Sequence, residues 1–199
     1  MSLEALHHRG RFGVVAGIVL LALTTACKGE SDSKPAANPT APVFDDFAKR
    51  VEKYMEVREQ VEDSVGDLDP SKSQAEITTR ATTLAAGLIA ARPEAKPGDI
   101  FTTEAATVIA TLIKQEYSRR SEPVQETRED AQEELPDFAP KVNSLYPTTY
   151  PLATFPPTLL PLLPPLPDKL EYRIVQHYLV LRDIEANIIV DFMPNAVPV

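Results

Sequence analysis

The sequence predicts an α+β protein: a helical hairpin or small bundle, a proline-rich connector and a C-terminal three-stranded antiparallel β-meander. Three observations predict it. Apolar residues recur at three- and four-residue steps between residues 42 and 119, which is the spacing of one helical face. Ten prolines crowd residues 135–167, which excludes regular helix or central strand there. Three short runs rich in β-branched and aromatic residues close the chain.

Helix one is expected from Val43 to Val65. Pro42 suits its start, where a missing backbone donor costs nothing. Phe44, Phe47, Val51, Tyr54, Val61 and Val65 line one face, and Gly66 follows as a C-terminal stop. Asp69-Pro70 offers an N-cap and a first-turn proline for helix two, which runs to Ala91, ahead of Pro93. Its expected buried face is Ile77, Ala81, Leu84 and Leu88. Pro97-Gly98 marks a turn. Helix three follows from Thr102 to Arg119, with Phe101, Ala105, Val108 and Leu112 on its face and Ile109 and Ile113 beside them. The segments EITTRATTLAAGLI (76–89) and IFTTEAATVIATLI (100–113) match at a 24-residue offset. Either they are the facing helices of one hairpin, with alanines allowing close approach, or two Ala/Thr-rich helices resemble each other by chance. Ser121 can cap a fourth, polar segment over 122–134.

The connector, 135–168, ends in LLPLLPPLP (159–167), a composition that favours polyproline II. Its leucines suit packing along a surface. LEYRIV (170–175) and YLVLRD (178–183) flank Gln176-His177, a two-residue hairpin turn without the usual glycine. ANIIVDFM (186–193) is the third strand. Alternation places Tyr172 with Ile174, and Leu179 with Leu181, on shared faces.

Composition bounds the function. The 199 residues are 43% hydrophobic and 25% charged, enough for one domain with a core. The formal net charge is −9; residues 1–26 carry Arg9, Arg11 and Glu4, a net +1, so the remainder stands near −10. Such a chain repels phosphate backbones, which argues against a nucleic-acid partner. One cysteine allows neither an intrachain disulfide nor a thiolate metal cluster.

That cysteine follows an N-terminal leader. Arg9 and Arg11 precede an apolar run, VVAGIVLLAL (14–23), too short to span a bilayer as a helix but suited to a signal peptide. Small residues lead into Cys27. Residues 1–28 resemble the bacterial lipoprotein signal: Ala26–Cys27 matches its cleavage junction, while Thr24 stands where an aliphatic residue is usual and Leu23 lies one place further out. The resemblance implies cleavage after Ala26, a diacylglycerol thioether on Cys27 and, in many bacteria, N-acylation. Lys28 is not the aspartate that retains some lipoproteins at the inner membrane, which points to the outer membrane, facing the periplasm, in a Gram-negative source. An ordinary cleaved signal peptide or an uncleaved anchor are the competing readings. Residues 27–41, polar and proline-bearing, read as a flexible tether, and 42–199 as one domain comprising the helical region 42–134, the connector 135–168 and the meander 169–199. The segment 163–198 also resembles the C-terminal stretch of uncharacterised exported bacterial proteins, which implies a folded module and no activity.

Few residues point to chemistry. His177 is the one histidine after the leader and sits at the hairpin turn without a nucleophile motif, so it reads as an exposed turn residue. Asp183, Glu185 and Asp191 could share acid–base work, with rim ion pairs to Arg182 or Arg173 as the plainer reading. The acidic run ETREDAQEELPD (126–137) lacks the alternating ligands and glycine of a calcium loop. The Pro/Leu run can dock into an aromatic groove of a partner or cover its own domain's core. Glycine-rich phosphate loops, GxSxG, HExxH and CxxC are absent. The reading is an envelope lipoprotein, non-enzymatic and without cofactor or metal, held to a membrane by its lipid. It would present the meander and its proline-rich approach to another envelope protein or a surface polymer. A carboxylate-dependent hydrolase and a periplasmic small-molecule carrier are the alternatives.

Overall fold

Proline and glycine set the limits of the first helix, as the spacing predicts. Helix α1 runs Ala41–Val65, with Pro42 in its first turn and Gly66 beyond its last at φ 85°, where a side chain would be strained. These features come from a computed structural model of the chain, which describes residues 39–66, 73–119, 137–147, 150 and 155–197. Phe47, Val51, Tyr54 and Val61 are buried along one stripe of α1, with Phe44 and Val65 half-buried at its ends. The stripe holds a residue the periodicity passed over: Arg58, buried between Tyr54 and Val61.

Helix α2 is Gln74–Ala91, and its cap is not Asp69-Pro70, which lies outside the described residues. Ser73 accepts the Glu76 amide while the Glu76 carboxylate accepts the Ser73 amide. This reciprocal pair satisfies two donors that the first turn would leave open, so the helix starts there. Leu84, Ala85 and Leu88 are buried; Ile77 and Ala81 are only half-buried. Gly87 sits where an added Cβ would meet Val61 Cγ1 at 2.5 Å, so α1 and α2 pack too closely for a side chain at that point.

Helix α3, Thr103–Tyr117, is capped by the Thr102 hydroxyl. Its buried row is Ala105, Ile109, Ile113 and Tyr117, each four residues on, with Val108 and Leu112 half-buried beside it. The expected face was therefore rotated by about one residue. The repeat between 76–89 and 100–113 does not mark a facing pair either. Helix α1 is the main partner of α2 and also packs against α3. Burial differs across the repeat: Ile113 is buried, while its counterpart Ile89 is exposed.

Three strands follow: β1 (Leu170–Val175), β2 (Tyr178–Asp183) and β3 (Ile188–Met193), paired antiparallel in the order β1-β2-β3. Gln176 takes the left-handed conformation in the first hairpin, φ 52°, and Asn187 does so in the second, φ 52°. Leu170, Tyr172, Leu179, Leu181 and Ile188 join α1, α2 and α3 in the main core. On the opposite face Val175, Val180 and Ile189 pack against Phe138, Tyr146 and Tyr150 from the connector. The central strand is thus covered on both sides. Residues 143–146 lie along the outer edge of β3, exchanging backbone hydrogen bonds with Asn187 and Ile189.

One irregularity repositions a carboxylate. Leu181 pairs with Asp191 but Arg182 pairs with Ile189, so Val190 is an extra residue on β3. Both Val190 and Asp191 consequently lie on the helical side, and Phe192 joins the connector side.

The proline-rich run packs on the domain's own core. Leu159 is fully buried, Leu163 is buried, and Leu162 and Leu166 pack against the core. A single 3-10 turn, Leu160–Leu162, interrupts the extended path the composition predicted. The described residues belong to one compact unit. The Ser121 segment and most of the acidic run fall outside the described residues. Among those described, no helix is long and apolar enough to cross a membrane.

Candidate functional site

Asp183 ends β2 and is fully buried. Its Oδ2 accepts the Tyr54 hydroxyl at 2.9 Å and Arg58 Nε at 2.8 Å, and its Oδ1 accepts the Ala186 amide at 2.9 Å. Glu185, in the turn after β2, accepts Arg58 Nη2 at 2.7 Å, Arg80 Nη1 at 3.4 Å and the Lys169 ammonium. Glu62 accepts Arg58 and Arg80, the latter at 2.9 Å. Three cations and three carboxylates therefore meet where α1, α2 and the β2–β3 turn join. The ion pairs of Asp183 and Glu185 go to Arg58, Arg80 and Lys169, and not to Arg182 or Arg173. Those two arginines pair with Glu171 on the connector side of the sheet, where Arg182 also lies against the Tyr146 ring.

The electrostatics follow from these partners. Burial works against the charged form of Glu185, but the hydrogen bonds and charges of Lys169 and Arg58 outweigh it and hold the pKa down to about 2. Burial likewise opposes ionised Glu62, and Arg80, Arg58 and Lys169 bring its pKa below the usual value. Burial and the neighbouring Asp183 carboxylate push the Tyr54 phenol far up.

Asp191 is fully buried and separate from this cluster in its partners. It accepts backbone amides of Gly98, Ile100, Phe101 and Phe192 at 2.7–3.0 Å, tying β3 to the loop between α2 and α3. Burial pushes its carboxyl up against those four donors. Every oxygen of Asp183 and Asp191 is engaged and neither is open to a substrate, so both act as structural anchors. Among the described residues no group of three or more acids, histidines or cysteines could hold a metal ion. His177 is half-buried at its turn, its ring 4.1 Å from that of Tyr178, and its carbonyl accepts the Ala196 amide. Ala26 and Cys27 lie outside the described residues.

A groove of about 680 Å³ lies between the proline-rich run and β1, lined by Phe155, Leu160, Leu166, Glu171, Tyr172 and Arg173 among others. Leu160 is 53% exposed there; among the large apolar side chains of the described residues Leu145 alone, at 59%, is more open. Successive strand residues point to opposite faces, so a groove lined by both Glu171 and Tyr172 runs along the strand's edge. The ladder parity agrees. The Ile184 amide donates to the Lys169 carbonyl, which makes 169, 171, 173 and 175 the positions bonded to β2. The backbone groups of Tyr172 and Ile174 then face outward, and no described strand pairs with that edge. Leu170 also faces out, and its amide is taken by the Pro167 carbonyl at 2.9 Å. The Tyr172 hydroxyl donates to the Pro164 carbonyl at 2.9 Å, fixing the groove's floor to its wall. Comparison of the chain with protein-family models, with curated proteins and with solved structures finds no significant match.

Proposed function

We propose that this chain is a non-enzymatic envelope lipoprotein, anchored through lipid on Cys27, that binds an extended apolar segment of another envelope protein along β1. The observation that carries the binding half is the outward edge of β1 inside an apolar groove. Open strand edges capture extended chains through their backbone groups, and adjoining apolar pockets select the side chains. Glu171 beside the edge is already met by Arg173 and Arg182, so no unpaired carboxylate there calls for a basic segment. The anchoring half rests on the leader and on the position of the single cysteine at Ala26–Cys27.

Ile174→Pro tests the binding half. It blocks the outer edge without removing a ladder hydrogen bond, because the Ile174 amide faces away from β2. Partner captured from native membranes should be lost from this variant while its circular dichroism is kept, and the Tyr172 amide should gain protection from exchange in the wild-type complex. Equal capture by Ile174→Pro overturns the edge assignment. Mass spectrometry should find a diacylated N-terminal Cys27; a bare thiol there, or any other mature N-terminus, overturns the anchor.

A further inference from the structure

A second concavity, of about 530 Å³, lies between α1 and the α2–α3 loop, lined by Arg50, Lys53, Tyr54, Arg92 and Asp99 with apolar walls from Val57 and Ile100. Arg92 is unlike the other arginines. Arg50, Arg58, Arg80, Arg119, Arg173 and Arg182 each have a carboxylate within 4.0 Å. Among the described residues Arg92 alone has none. Its guanidinium donates to two neutral acceptors, Asn143 Oδ1 at 3.2 Å and the Val190 carbonyl at 3.3 Å, and lies 4.8 Å from the centre of the Tyr54 ring. The nearby acids are otherwise engaged: Asp191 by four backbone amides, and Asp99 by the Lys96 amide at 3.0 Å. Burial pushes the guanidinium pKa down, the sign of a cation without full compensation. Lys53, on the same wall, makes no ion pair or hydrogen bond among the described residues. A half-buried guanidinium without an ion-pair partner and an exposed ammonium line one pocket, which leaves positive charge available to an anion in a chain of net charge −9.

We infer that this pocket, independent of the β1 groove, binds a small organic monocarboxylate, with Arg92 and Lys53 holding the carboxylate and the Tyr54–Val57–Ile100 wall taking the apolar body. Asp99 and Glu94 on the same wall disfavour polyvalent anions, which distinguishes an organic acid from phosphate. The volume falls in the range of small-molecule sites. The test is calorimetric titration of the whole chain with benzoate, phenylacetate and octanoate, with inorganic phosphate and neutral benzamide at matched ionic strength. At least one monocarboxylate should bind at millimolar concentration or below, and Lys53→Gln should weaken it about tenfold, the effect of losing one charge-assisted contact. Lys53 is exposed, so that variant keeps the fold. Arg92→Lys should weaken it further, because an ammonium cannot present the planar fork. The assignment is overturned by binding of none of the three acids, by equal binding of phosphate or benzamide, or by binding that both variants leave unchanged.

Discussion

Replacing Arg58 by methionine tests the junction of helices and sheet directly. Arg58 is 1% exposed and Asp183 is 0% exposed, so the pair is desolvated from both sides. Methionine keeps the bulk of the arginine stem on the α1 stripe but removes the charge. Asp183 would then be a buried carboxylate held only by the Tyr54 hydroxyl and the Ala186 amide. Breaking a buried pair from one side costs about 3–5 kcal/mol, a large share of a domain stability of about 5–15 kcal/mol. Adding Asp183→Asn removes the orphaned charge, so the double variant should lose about 2 kcal/mol less than the two single losses together. Urea unfolding followed by circular dichroism measures all four proteins, and high salt should change the coupling little because the pair is shielded from solvent. A loss below about 1 kcal/mol for Arg58→Met, or additivity within about 0.5 kcal/mol, refutes the view that this pair joins α1 to the sheet.

Two further outcomes follow from the same structure. The pKa values of Glu185 and Glu62 are depressed on folding, so their contribution is complete above the unfolded value near 4.5 and is lost as pH falls through each folded value, about 2 for Glu185. For Glu185, 26% exposed, the full shift discounted for solvent screening is worth about 1–2 kcal/mol; the urea midpoint should fall across that window, and a slope unchanged by Glu185→Gln would contradict the assignment. Gly87→Ala should lower stability by about 1–2 kcal/mol, because the new methyl meets Val61 Cγ1 at 2.5 Å, although helix propensity alone would favour alanine by about 1 kcal/mol; a raised melting temperature would show that the two helices part at little cost.

Elements with a local cause were legible in the sequence. Pro42 and Gly66 delimit α1 by backbone chemistry, and period-two patterning locates β1 and β2 to the residue. The packing of LLPLLPPLP on its own core was legible as one of two alternatives, but the groove beside β1 was not, because an open edge depends on the order of strands in the sheet. What depended on distant partners was not. Asp69-Pro70 and Ser73–Glu76 are competing starts for α2, and the reciprocal side-chain bonds decide between them. The face of α3 turned because the row ending at Tyr117 is the one that meets the core. Arg58 offered a readable signal, an arginine inside a stripe of apolar residues with Glu62 one turn on, yet its other two carboxylate partners lie more than a hundred residues away in β2 and the turn beyond it. Arg92 offered none, since the lack of an acidic neighbour is a property of folded space.

The bulge at Val190 makes the tail of β3 intolerant of frame changes. With that one residue deleted, Asp191 would swing to the aromatic side, its three amide donors in the 98–101 loop would lose their acceptor, and Phe192 would be driven towards the helices. Removing two residues would keep the alternation but shorten the strand. Chains descended from a common ancestor with this one should therefore rarely differ in length between 182 and 193, where a single codon carries the whole orientation of the strand.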